Sequence, residues 1–154
     1  MEEQFKLIRQ TRNRFIDLVN GLSIEELNEI PEGMNNNIAW NFGHIVTAQQ
    51  GLCNGLSGVA SLVSAEMGEG FKKGTKPETA INQATIDSFK NYAVTCIDEL
   101  EKGLKENVYV QFQPYTTSYG YELNNIQDAI RFFMVHDALH FGYAMAIRKN
   151  LSKK

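Results

Sequence analysis

The chain has 154 residues, 21% of them charged, with a formal net charge of −3, which suits a single domain spanning residues 1–154 with a real core. No basic run beyond the Lys153-Lys154 tail points to nucleic acid, no stretch approaches the roughly 20 apolar residues that cross a bilayer, and the start lacks the apolar segment of a signal peptide. Cys53 and Cys96 are far apart, form no disulfide framework and read as buried thiols, so a cytoplasmic protein with no nucleic-acid or membrane partner is expected.

The first helix is expected from about Glu3 to Asn20, with Phe5, Ile8, Phe15, Val19 and Leu22 at helical spacing, Leu18 alongside and Gly21 as the stop. Ser23-Ile24-Glu25-Glu26 has the S-x-x-E form of a capping box, and Pro31 with Gly33 ends the short turn that follows. Asn35, Asn36 and Asn37 offer caps for a second helix reaching about Ser57. Ile38, Phe42, Ile45, Leu52 and Leu56 form one stripe on it, and Asn41, His44, Ala48, Gly51 and Gly55 another. Two glycines at a cost in helix propensity imply that the small-sided stripe seats a neighbouring helix close beside His44, or that they mark the fraying end of the helix, a reading equally open for Gly55.

Val59 to Met67 suits a short helix, and Gly68 to Pro77 is a loop by composition. A loop of that length in a small domain is usually functional, and Lys72, Lys73 and Lys76 on Gly70 to Pro77 could touch an anionic ligand. The third helix spans about Asn82 to Glu106, burying Ile86, Phe89, Ala93, Cys96, Ile97, Leu100 and Leu104. Val108 to Gln113 alternates like a strand but has no partner in the sequence, so it reads as an extended connector. In Pro114 to Glu122 the rings of Tyr115, Tyr119 and Tyr121 either wall a pocket or cap the end of the fold, and the usual burial of aromatics favours the cap. The fourth helix runs from about Asn125 to Lys149, capped by Asn124 or Asn125. It is apolar on two sides, with Val135, Leu139 and Gly142 on the second, as for a helix that is central or shared with another subunit.

The chemistry concentrates in this last helix. His136 and His140 are four residues apart, so both imidazoles leave one face, one turn apart, and can reach one metal ion. The third and last histidine, His44, lies in the second helix. Two histidines stacked on a core-facing stripe are an awkward filling for a core, and a shared ion satisfies all three. The pattern His136-Asp137-Ala138-Leu139-His140 is one methylene short of the zinc-protease H-E-x-x-H, but Asp is too short for that role and no His or Glu follows it as a third ligand. Asp137 therefore reads as a partner behind the ligands or as a surface charge. Cys53 lies about 180° round the helix from His44 and is a poor ligand. Three neutral imidazoles leave an ion its full charge and open positions, where a water or thiol becomes a usable nucleophile. They suit zinc, nickel, copper or iron: zinc first on availability, nickel if a further open position allows six-coordination. Trp40, Phe133 and Tyr143 flank the ligands and are candidates to line a substrate pocket, although for Trp40 and Phe133 the usual burial of aromatics favours core packing.

Ile38-Ala39-Trp40-Asn41-Phe42-Gly43-His44-Ile45 resembles the I-A-W-x-x-x-H-I segment of DinB-like proteins, the superfamily that includes YfiT. His136-Asp137-Ala138-Leu139-His140-Phe141-Gly142, followed by Arg148, is similar to that family's H-[DE]-x-x-H-x-G element, and Phe71 to Pro77 looks like its connection before the third helix. The resemblance implies an all-α four-helix bundle with up-up-down-down order, His44, His136 and His140 as metal ligands, and a homodimer. It also implies a metal-dependent thiol transferase that uses bacillithiol, mycothiol or glutathione on a small-molecule substrate. The alternatives are a metal-dependent hydrolase and a non-catalytic protein stapled by its metal. Where the family often carries Gln after this element, the chain has Tyr143.

Overall fold

The structure is a computed structural model and describes residues 1–151; the Lys153-Lys154 tail lies outside the described residues. Helix α1 (Glu2–Asn20) buries Phe5, Ile8, Phe15, Leu18 and Val19, and with them Arg12. Helix α2 (Ile24–Asn28) begins with the expected capping box: Glu26 N–H donates to Ser23 Oγ, and Ser23 N–H to the Glu26 carboxylate. Helix α3 (Ile38–Gln49) starts where Asn37 Oδ1 accepts from Trp40 N–H at 2.7 Å and is buried almost all round. It then widens into a π-helical turn, Gln50–Gly55, where the sequence suggested an unbroken helix to Ser57. After α4 (Ala65–Phe71) comes α5 (Gln83–Lys105), capped by Asn82. A small antiparallel ribbon follows, β1 (Tyr115–Thr116) on β2 (Glu122–Leu123), with Tyr115 opposite Leu123. The chain ends in α6 (Ile126–Asn150), capped by Asn125.

The fold is all-α apart from this ribbon. Helix α3 packs on α6, α5 and α4, while α1 packs on α6 and α5. Two apolar clusters fill the interior, one around Phe15, Phe42 and Phe89, the other around Phe5, Ile130 and Phe133. Arg12, 1% exposed, reaches three other helices. Its Nε donates to Asp137 Oδ2 at 2.9 Å, and its terminal nitrogens donate to the carbonyls of Ala93 and Ile45, each at 3.2 Å. The guanidinium also sits 5.9 Å from the Phe133 ring centre. One side chain of α1 thus ties α3, α5 and α6 together. No helix among the described residues is long and apolar enough to cross a membrane.

Two expectations need correction. The short helix covers Ala65–Phe71, not Val59 to Met67, so the loop begins at Lys72 rather than Gly68. Gly68 and Gly70 argued for a loop by propensity, but the Ser64 cap, which accepts from Met67 N–H, starts a helix and the Phe71 ring docks edge-on against Phe89 at 4.8 Å to anchor its end. Nor do Gly51 and Gly55 seat a neighbouring helix. A Cβ on Gly51 would meet nothing within 4 Å, and one on Gly55 only the Gln50 carbonyl at 3.9 Å. The close approach is at Gly43, where a Cβ would lie 2.5 Å from the Phe71 ring and 2.8 Å from Phe89.

Candidate metal centre

The last turns of α3 and the middle of α6 bring all three histidines together. One ring nitrogen from each of His44, His136 and His140 lies within 4.8 Å of the other two, and His44 Nε2 is 3.3 Å from His136 Nε2. Two of the rings are oriented from behind. His44 Nδ1 is 2.6 Å from the Phe71 carbonyl; a carbonyl only accepts, so the proton is on Nδ1 and the Nε2 lone pair faces the cluster. His140 Nδ1 donates to Asn41 Oδ1 at 2.7 Å. The Asn41 amide is fixed in that sense because its Nδ2 donates to the Asn37 carbonyl at 2.8 Å. The third ring, His136, has its Nδ1 buried without a hydrogen-bond partner. Trp40 stacks on His44, ring centres 4.6 Å apart and planes at 10°, and its indole N–H donates to Thr75 Oγ1 at 3.0 Å.

Burial lowers the pKa of each imidazole. His136 falls to about 3, through desolvation first and then the neighbouring His140 and His44. His140 falls to about 4 by desolvation and then by His44, and desolvation likewise lowers His44. All three are thus neutral at pH 7, the form in which imidazole coordinates. A protein-bound divalent ion fits this donor set, with three converging neutral nitrogens, two of them held at the far side of the ring. The pH consequence has a definite sign. The folded chain without metal resists protonation that the unfolded chain accepts below about 6.5, so its stability is full above that pH. It is lost as pH falls from there toward 4 and 3, on the order of 1–2 kcal/mol for each of His136 and His140 by about pH 5. Urea midpoints of the chelated protein measured across this range check it, and replacing His136 with Gln should flatten the slope.

The cluster opens on a cavity of about 470 Å³ lined by Trp40, Leu52, Lys73, Tyr119 and Phe132, among others, and by all three histidines. The tyrosine segment proves to be cavity wall rather than a buried cap. Tyr115 and Tyr119 line the cavity with 41% and 62% of their surface exposed, and Tyr121 stacks on Phe132. Of the side chains expected around the ligands, Trp40 lines the cavity while Phe133 and Tyr143 do not. Phe133 is packed wholly inside, against Arg12, and Tyr143 is exposed. Asp137 is neither behind a ligand nor on the surface. Its carboxylate is 1% exposed and paired with Arg12, with no histidine bonded to either oxygen.

Three contributors went unread in the sequence. Arg12 sits in the apolar stripe of α1 between Ile8 and Phe15, and a charge at a stripe position is a signal of a buried partner. Asn41 was visible only as a small-sided neighbour of His44. The Phe71 carbonyl is backbone and leaves no trace in the sequence. It also gives Gly43 a role. A methyl there would displace the Phe71 ring, because Phe89 beside it is fully buried and cannot yield. Gly43→Ala is therefore expected to weaken metal binding by about tenfold, the lower end for losing an orienting partner, without touching a ligand. Competition titration against a chromophoric chelator measures it.

The sequence profile of the DinB superfamily matches residues 7–144. No curated protein matches the chain. With the three histidines placed as described and the match covering most of its length, the chain belongs to the DinB superfamily.

Proposed function

We propose that the chain holds one divalent ion through His44, His136 and His140 and transfers a low-molecular-weight thiol to a small electrophile. The observation that carries this reading is that the three nitrogens meet at the wall of an open cavity rather than in a closed core, which leaves room for a reactant beside the ion. Bound there, the ion would supply Lewis acidity and depress the pKa of a coordinated thiol or water. In the transfer the sulfur forms a bond to the electrophilic carbon, the leaving group departs with its electron pair, and the thiol proton passes to solvent. The chain's own part is to present neutral imidazoles, keep His44 and His140 turned inward through Phe71 and Asn41, and bracket the reactants between Trp40 and Phe132.

Zinc is the favoured metal. Imidazole ligands suit it and it is commonly available, while nickel becomes the choice if a further open position allows six-coordination. The four long helices are taken as the up-up-down-down bundle, in a cytoplasmic homodimer. Val135 and Leu139, 51% and 49% exposed on one side of α6, support a second subunit there. Leu139→Glu should then yield monomers in analytical ultracentrifugation at micromolar concentration; an unchanged sedimentation coefficient would remove α6 from the interface.

The function is tested by incubating the metal-loaded protein with thiol and an alkyl halide or epoxide, and separately with an ester and no thiol. S-alkylated product that depends on the metal supports the transferase. Ester turnover without thiol would replace it with a hydrolase. Neither activity, combined with a large drop in melting temperature on chelation, would leave a metal staple.

A further inference from the structure

The charged side chains lining the histidine cavity are all cationic. Besides the three imidazoles it is lined by Lys72 and Lys73, and no Asp or Glu contributes to its wall, although the chain as a whole is acidic. Across the Trp40–Thr75 partition lies a second cavity, of about 620 Å³, whose lining includes Glu66, Glu69 and Glu78. The carboxylates thus stand on one side of that partition and the histidines on the other. Lys72 is paired with Glu69, whereas Lys73 has no ion-pair partner among the described residues and is exposed at the rim.

The rest of the wall is largely apolar, formed by Leu52, Leu56 and the rings of Trp40, Phe132 and Tyr119, with the neutral polar side chains of Asn36, Thr47, Thr117 and Ser118 among them. Tyr119 stands edge-on to Phe132 at 5.6 Å. Its turn is already fixed: Thr117 Oγ1 accepts from the N–H groups of Tyr119 and Tyr121, and Gly120 takes a φ of 74°. A wall that needs no ordering on binding gives more of its contact energy to affinity. A largely apolar slot with a free cation at its rim and no acid suits an anionic head on a hydrophobic body.

We infer that the cavity takes a small organic acid, its carboxylate at Lys73 and its apolar body between Trp40, Phe132 and Tyr119. The inference builds on the proposed function in one respect, that the acid is then a reactant delivered to the three imidazoles. Binding itself requires no turnover and is tested without it.

Trp40 is the chain's one tryptophan and lines both this cavity and its neighbour, so its emission reports binding in either, and Lys73, which lines only this one, tells them apart. Phenylbutanoate, the uncharged phenylbutanamide and plain butanoate are titrated into metal-free and zinc-loaded protein. Phenylbutanoate is expected to bind about fivefold tighter than the amide in both forms, the upper range for one exposed charge, and far tighter than butanoate. Lys73→Gln should remove the preference for the acid and Lys73→Glu should reverse it, each leaving amide affinity unchanged. Equal affinities for acid and amide in the wild type, or a preference that survives in Lys73→Glu, overturn the anionic head. Butanoate binding as well as phenylbutanoate overturns the apolar slot. A preference for the acid seen only with zinc means the carboxylate coordinates the ion, which also defeats the proposal. Metal content measured on the same samples is a separate readout, so failure of the acid site leaves the metal reading intact, and absence of metal leaves the metal-free titration decisive.

Discussion

Replacing His136 with alanine is expected to leave the chain without stoichiometric divalent metal. His136 lies 3.3 Å from His44 through Nε2 and one helical turn from His140. Two imidazoles remain, on different helices, with no side chain of the cavity wall able to take the third position: Lys72 and Lys73 are cations and the carboxylates line the other cavity. Losing an orienting partner costs roughly 10–100-fold in metal affinity, and losing a ligand should exceed about 100-fold. Elemental analysis of protein purified without an immobilised-metal column checks this, with the wild type expected near one ion per chain. A His136→Ala protein that keeps its full complement would end the assignment. The fold itself should survive, because His136 carries a buried, unpartnered Nδ1 and its removal relieves a polar cost as well as losing packing.

The largest effect on stability belongs to Arg12. Its guanidinium and the Asp137 carboxylate are each 1% exposed and 2.9 Å apart, so Arg12→Met leaves a carboxylate buried without its cation. Breaking a buried pair in this way costs about 3–5 kcal/mol. Here the loss also takes the donors to the Ala93 and Ile45 carbonyls and the contact with Phe133, so the upper half of that range is expected in urea unfolding. The double variant Arg12→Met, Asp137→Leu should recover most of the loss, since replacing both charges by apolar groups of similar size is commonly neutral. A single variant less than about 1 kcal/mol weaker than wild type would mean that the pair contributes little. Metal content should stay unchanged in the double variant, because neither residue touches a histidine. This separates Asp137 from the chemistry that its place beside His136 in the sequence suggested.

What could be read in advance divides along physical lines. Most helix limits were legible from their caps, Ser64 at the start of α4 being the exception. Ser23, Asn37, Asn82 and Asn125 each accept from a backbone N–H of the following turn, and such side chains are local and spaced by rule. The convergence of His44 on His136 and His140 was legible because two of the three share a helical face and the surrounding motifs match a family. The errors lay where tertiary packing overrode local preference. Gly68 and Gly70 argued for a loop, yet Phe71, seated at Gly43 and against Phe89, holds a helix there. Phe133 took the core role that the usual burial of aromatics favoured, whereas Trp40, read the same way, lines the cavity. Tyr143 was placed by its distance from the ligands along α6, but a step of one or three residues turns a side chain about 100° or 60° away, out to solvent for Tyr143. Asp137 fell to the same rotation. Nothing local in Gln50–Gly55 announced the π-helical turn.

The Phe71 carbonyl that holds His44 belongs to the last residue of α4, a short helix with no buried residue of its own. Cation uptake and the seating of this helix are therefore thermodynamically linked, and by reciprocity each raises the other by the same factor. Amide hydrogen exchange along Ala65–Phe71 should slow when an ion is present, reporting occupancy from a peptide group that never touches the coordination sphere.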